Sequence, residues 1–224
     1  MNLETEEIAG NSAGNQLSVN SQPYQTQECI LYGTIPKKLI PVLEGRLAGL
    51  CDPGFQEFRE HEMSFAQTRT RTEVKIRRRF RTEPSYPKLW VMKYIGVSED
   101  LPQVPVIVRK ETTSMIQSED MMEFMKSIGC FMNYEFMAEG RVYTKARTKV
   151  MISKLTKSST PGLYNEKTLT EVSSLALVEM SISLPESADF NAAAKELRSF
   201  ADQLLPIVEM VKVELPRRIF QQRA

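Results

Sequence analysis

The sequence predicts a mainly β, α+β fold: an antiparallel sheet closed or nearly closed on itself as a barrel, with about three flanking helices. Three observations carry this expectation. Most segments alternate apolar and polar side chains at period two, as in EHEMSFA and KLWVMKYIG. Short, turn-rich links join these runs, not the long crossovers that a parallel sheet requires. Helical spacing is confined to a few stretches.

Taken in order, residues 1–27 are rich in Asn, Ser, Gln and Gly and cannot repay the entropy of ordering, so a polar tail is expected. A single barrel domain should then fill 28–220, opening on the strand ECILYGTI at Glu28. In KKLIPVLEGRLAGLCD, Leu39, Val42, Leu43, Leu47 and Leu50 fall at helical spacing, with Pro41 tolerable only in a first turn. Four strands follow: EHEMSFA, TRTRTEVKIRRRF, KLWVMKYIG and VPVIVRKET. Pro84, Pro87 and the SEDLPQVP loop separate them. Ser118 is placed to cap a helix over EDMMEFMKSI, and Gly129 to stop it. The strand CFMNYEFMA, a tight turn at Glu139 and Gly140, and the strand RVYTKARTKVMISK come next. Residues 158–170 read as a mobile polar loop. VSSLALVEMSISL is a strand, and Phe190, Ala193, Leu197, Phe200 and Leu204 share a helix face ended by Pro206. IVEMVKVEL reads as a last strand.

Composition excludes several classes. The 224 residues are 42% hydrophobic and 25% charged, with a formal net charge of +1, so no global field draws the chain to nucleic acid or anionic lipid. No apolar run approaches the roughly 20 residues of a membrane helix, and the start lacks the order of a secretory signal, which implies a cytosolic or nuclear protein without a membrane partner. Cys29, Cys51 and Cys130 show no metal or redox spacing and read as reduced, mostly buried thiols. No nucleophile elbow, P-loop or dinucleotide fingerprint occurs, and no cofactor is expected.

Charge patterning supplies the candidate sites. Arg141, Lys145, Arg147 and Lys149 occupy odd positions, and Arg69, Arg71, Lys75, Arg77 and Arg79 do the same in the earlier strand. One reading is a solvated sheet face; the other is an inward or groove-lining face that holds phosphates or an acidic peptide. KIRRRFR also has the composition of a nuclear import cluster, although it lies within strand-like alternation. Glu60 and Glu62 share a strand face, as the metal-binding pair of a triphosphate hydrolase would, but Ser64 stands where the Glu-x-Glu-x-Lys signature needs lysine, and the second acidic strand shrinks to Glu179. Catalysis is therefore not expected. His61, the sole histidine, reads as a hydrogen-bonded packing residue. A nucleic-acid barrel is the other rival, and few aromatics stand among the basic residues to stack on bases. On CFMNYEFMA the even residues look like core, which leaves Phe131 and Met137 over. Leu175 and Leu177 are in the same position on VSSLALVEMSISL. These four are the candidate partner-binding residues, because a sheet apolar on both faces must be covered on both.

An ordered set of landmarks joins these readings. Leu31-Tyr32-Gly33, Arg46 to Asp52, Phe58 to Phe65, Tyr94-Ile95-Gly96, Tyr134-Glu135-Phe136 ahead of Gly140 and Tyr143, Leu177 to Ser181, and Phe200-Ala201 with Pro206-Ile207-Val208 resemble the Mediator subunit 18 family. The resemblance implies a barrel related to the triphosphatase tunnel fold but without its catalysis. It also implies a nuclear scaffold in the Mediator head module, which supports RNA polymerase II transcription indirectly. Its partners would be the similar barrel of subunit 20, the carboxy-terminal helix of subunit 8 and other head-module subunits.

Overall fold

A computed structural model describes residues 24–67, 73–79, 89–99, 101–160 and 168–213. Its strands are β1 (Tyr24–Pro36), β2 (Gln56–Gln67), β3 (Glu73–Arg79), β4 (Leu89–Ile95), β5 (Ile107–Gln117), β6 (Cys130–Lys145), β7 (Thr148–Lys157), β8 (Thr170–Glu171) and β9 (Leu175–Pro185). They lie in the order β6-β2-β3-β4-β5-β1-β9-β7, and β6 pairs again with β7. The antiparallel sheet thus closes into an eight-stranded barrel without a free seam, with β8 as a short appendage on β7. This is the expected architecture.

Three helices cover parts of the outside: α1 (Ile40–Leu50), α2 (Met121–Ser127) and α3 (Phe190–Asp202). Alternation along each strand sends one set of side chains outward under these helices and the other into the lumen. Leu43 and Leu47 of α1 and Ala193, Leu197 and Phe200 of α3 bury Cys29, Leu31, Val108, Val150, Val178 and Met180 in the main core. Met121 and Met125 of α2 close a second core over Met63, Phe65, Ile76 and Trp90. The clustered methionines near α2 are thus partly core filling. Inside the barrel, Phe58, Ala138, Val142 and Met151 form a small apolar plug.

Local chemistry explains the helix ends. Pro41 sits in the first turn of α1, where its missing N–H costs nothing, and a 3-10 turn over Lys37–Leu39 leads in. Val42, at 53% exposure, lies off the buried face expected for it. Asp120, not Ser118, caps α2 by accepting a hydrogen bond from the Glu123 amide at 2.9 Å, because the helix starts at Met121 and Asp120 is the residue immediately before it. Gly129 stops α2 with φ 78°.

Four further expectations are corrected. β1 begins at Tyr24, ahead of Glu28, since β5 supplies a pairing partner as far as Tyr24. No turn occurs at Glu139–Gly140: β6 runs straight through, and Gly140 is needed because a Cβ there would strike the Ile152 carbonyl across the β6–β7 pair. The turn falls at Ala146–Arg147, with Ala146 at φ 51°. Finally, residues 207–213 form no strand but a strap joined to β1 by the single bridge Tyr32–Val211. The strap crosses Gly33 so closely that a Cβ would meet Val208 and Met210 at 2.8 Å. Arg69, Arg71, the tail residues 1–23 and residues 161–167 of the polar loop lie outside the described residues.

Candidate interaction surface and the charged lumen

The misplaced turn changes the meaning of the basic ribbon. Because β6 folds back at Ala146–Arg147, Arg141 and Lys145 stay on the outer face while Lys149 points into the lumen, paired in register with Thr144 and Ser181. The outer cations clamp helices to the barrel. Arg141 reaches Glu44 of α1 at 3.0 Å and Glu57 of β2 at 3.3 Å, and its guanidinium lies 4.3 Å over the Phe55 ring. Arg147 holds Glu196 of α3 at 2.6 Å, and the Lys145 ammonium sits 4.6 Å from the Phe200 ring centroid. Beside Arg141 runs a groove of about 660 Å³ walled by Ile40 and Glu44 of α1 and floored by Glu57, Ile152 and Lys154.

The odd face of β3 points inward and meets the carboxylates of β2. Arg77 donates to Glu62 at 3.0 and 2.5 Å and lies 3.3 Å from Glu60. Arg79 donates to Glu60 at 2.7 Å, and Lys75 lies 3.2 Å from Glu62. Burial would raise the Glu62 pKa, but Lys75 and Arg77 outweigh it and hold the carboxyl below the ordinary range. On the opposite wall, Arg109 of β5 grips Glu28 of β1 at 2.9 and 2.7 Å. Lys93 of β4 donates to Glu111 at 2.9 Å. Burial pushes the Glu28 carboxyl up to about 7 even against the Arg109 charge. Glu73 accepts from Ser64 at 2.6 Å and Tyr134 at 2.8 Å.

Lys149 differs from its neighbours. Its side chain makes no hydrogen bond or ion pair among the described residues, and burial, with Arg77 and Lys93 nearby, lowers its pKa although Glu179 offsets part of the effect. Glu60 and Glu62, the pair that a hydrolase would spend on a metal, are instead spent on arginine and lysine. Ser64 bonds to Glu73 and holds no cation in place of the missing signature lysine. His61 is on the outer face, 4% exposed, with its Nε2 3.0 Å from Glu135, in line with a packing role.

The four apolar candidates separate. Phe131 (44% exposed) and Leu175 (40% exposed) present surface. Leu177 lies on the lumen side in register with Thr34 and Ser153. Met137 is buried on the outer face, in register with His61 and Thr156. Phe131 and Met137 do not share a face, because the β2–β6 register jumps between Ser64–Tyr134 and Phe65–Met132, and this bulge at Asn133 reverses the parity. Sequence reasoning passed over Glu28, Arg109, Lys93 and Glu111. The available signal was the run Val106–Glu111, where Arg109 and Glu111 share a parity opposite to that of the apolar Val106 and Val108.

A family model described as Med18 protein matches residues 27–89 and 66–216. This chain belongs to the Med18 family. It is 52% identical over 214 residues to Mediator of RNA polymerase II transcription subunit 18 of Caenorhabditis elegans, covering 93% of this chain and 92% of the relative. The subunit 18 of Danio rerio is 32% identical over 196 residues, covering 86% and 90%. Among solved structures, a chain from the Schizosaccharomyces pombe Mediator head module shares the fold with a TM-score of 0.70 at 16% identity, covering 84% of this chain and all of that one. PH1819 protein from Pyrococcus horikoshii OT3 shares it at 0.56 and 13% identity, covering 84% and 94%.

Proposed function

We propose that the chain is a non-catalytic scaffold subunit of the nuclear Mediator complex, seated in the head module and supporting RNA polymerase II transcription through other subunits. The observation that carries this reading is the end-to-end match to Mediator subunit 18 relatives, reinforced by the fold shared with a head-module chain. A subunit of a coactivator is not an enzyme, and carboxylates already neutralised by lysine and arginine suit a structural lumen better than a hydrolytic one. Its partners are the barrel of subunit 20 and the carboxy-terminal helix of subunit 8, with Phe131 and Leu175 as exposed apolar contacts and the charged rim around Arg141 setting register.

Co-expression and pull-down test this. The chain is expected to co-elute with both partners and to be more soluble with subunit 20 than alone, while Phe131→Asp with Leu175→Asp weakens capture without changing the circular dichroism spectrum. A well-behaved monomer that ignores both partners overturns the reading.

A further inference from the structure

The run Lys75–Arg79 (KIRRR) places four cations in five residues. In an extended, accessible chain such a run suits a protein receptor with an acidic groove, the recognition chemistry of nuclear import. In the folded barrel every one of the four is engaged. Lys75 and Arg77 are on Glu62, Arg77 and Arg79 are on Glu60, and the Arg78 guanidinium lies 4.6 Å over the Trp90 ring. The backbone is engaged as well, since β3 is paired with β2 along its length and with β4 from Glu73 to Arg77. An extended ligand needs both backbone and side chains free to enter a receptor groove, and this strand has neither.

We propose that KIRRR is a receptor-binding site gated by folding: open on the unfolded chain to an acidic-grooved import receptor, and closed in the barrel by Glu60, Glu62 and Trp90. The two glutamates do for β3 what the receptor's acidic groove would do, so closing the barrel and binding the receptor compete for the same cations. The assembled subunit therefore offers an import receptor nothing from β3. The choice of receptor rests on the nuclear reading above; the sequestration rests on the contacts alone.

The test compares a fluorescent peptide of residues 73–81 (EVKIRRRFR) with the folded full chain, each titrated against a purified import receptor by anisotropy near physiological salt. The peptide is expected to bind, more weakly as salt rises, and Arg78→Ala with Arg79→Ala should reduce its affinity by at least about tenfold. The same substitutions in the folded chain should leave whatever receptor binding it has unchanged within about twofold. Arg79→Ala alone, at a side chain that is 48% exposed, repeats the comparison with the Trp90 contact intact. A peptide that does not bind overturns the proposal, as does a folded chain whose binding falls in step with the peptide's. Failure of the head-module reading shows elsewhere, as loss of subunit capture in pull-down, which uses neither peptide nor receptor.

Discussion

Two lumen cations should respond oppositely to the same substitution. Arg77→Met removes the group that bridges Glu60 and Glu62, at 3.3 Å from one and 2.5 Å from the other. Breaking a buried ion pair by removing one partner costs about 3–5 kcal/mol, because the remaining charge stays desolvated. Here each carboxylate keeps a second cation, Arg79 for Glu60 and Lys75 for Glu62, so the cost falls to about 2–3 kcal/mol. At about 2–4 °C per kcal/mol for a chain of this size, Tm drops by roughly 4–12 °C. Lys149→Met deletes a half-buried cation without a carboxylate partner among the described residues, whose charged form the fold already disfavours. Its removal should leave Tm unchanged or raise it. Thermal unfolding followed by circular dichroism, on the chain purified with its partners, measures both. If the two variants shift Tm in the same direction by similar amounts, the lumen is not organised by ion pairing and the reasoning fails.

Other outcomes follow from the same geometry. Gly140→Ala drives a Cβ into the Ile152 carbonyl at the seam that closes the barrel, and overpacking of this kind costs about 1–3 kcal/mol or more; a Tm equal to the unsubstituted chain's would refute the close approach. Glu28 has a folded pKa raised to about 7 from an ordinary 4.5, so its contribution to stability is complete below about 4.5 and is lost as pH rises through 7. Glu28→Gln should therefore flatten stability against pH in that window, removing a slope of up to about 1.4 kcal/mol per pH unit, as chemical denaturation at stepped pH would show. Glu62 works in the other direction: its lowered pKa makes its contribution vanish as pH falls below the ordinary carboxylate range, and Glu62→Gln should blunt acid unfolding specifically.

The barrel was legible because period-two alternation survives in nearly every strand and needs no long-range information. Register was not, and two residues show why. Gly140 reads locally as a turn, yet its lack of a Cβ serves a neighbour twelve residues on, Ile152. Ala146 reads locally as strand, yet takes the left-handed conformation at the tip of the hairpin. Each is ordinary in its own window and is decided by a partner strand. Displacing that one turn moved Lys149 from the outer ribbon into the lumen, because a parity argument carries any slip along the whole strand. The bulge at Asn133 acted likewise on Phe131 and Met137. The ion-pair lumen was hidden for a related reason: Glu28 and Arg109 are 81 residues apart, and no single-strand pattern pairs them.

A charged inner face would usually be taken as a ligand site, but the pairing here supports a different use. Five strands contribute acids and bases at matching heights, from Glu28–Arg109–Glu111–Lys93 on one wall to Glu60–Arg77–Glu62–Lys75 on the other. Each bridge joins different strands or successive inward positions, so the lumen is cross-linked by geometry that an apolar filling would not specify. A binding site for phosphate would need cations in excess, and one for a metal would need carboxylates in excess; with Arg79, Lys149, Glu73 and Glu179 counted beside these eight, the inward groups named are six cations and six carboxylates, so neither excess is present among them. Specificity from buried ion pairs is gained at little net stability, which suits a barrel whose task is to hold its outer surface in a fixed shape for neighbours. The outer cations serve the same end, since Arg141 and Arg147 fix α1 and α3 against the sheet and so position the surfaces that a partner meets.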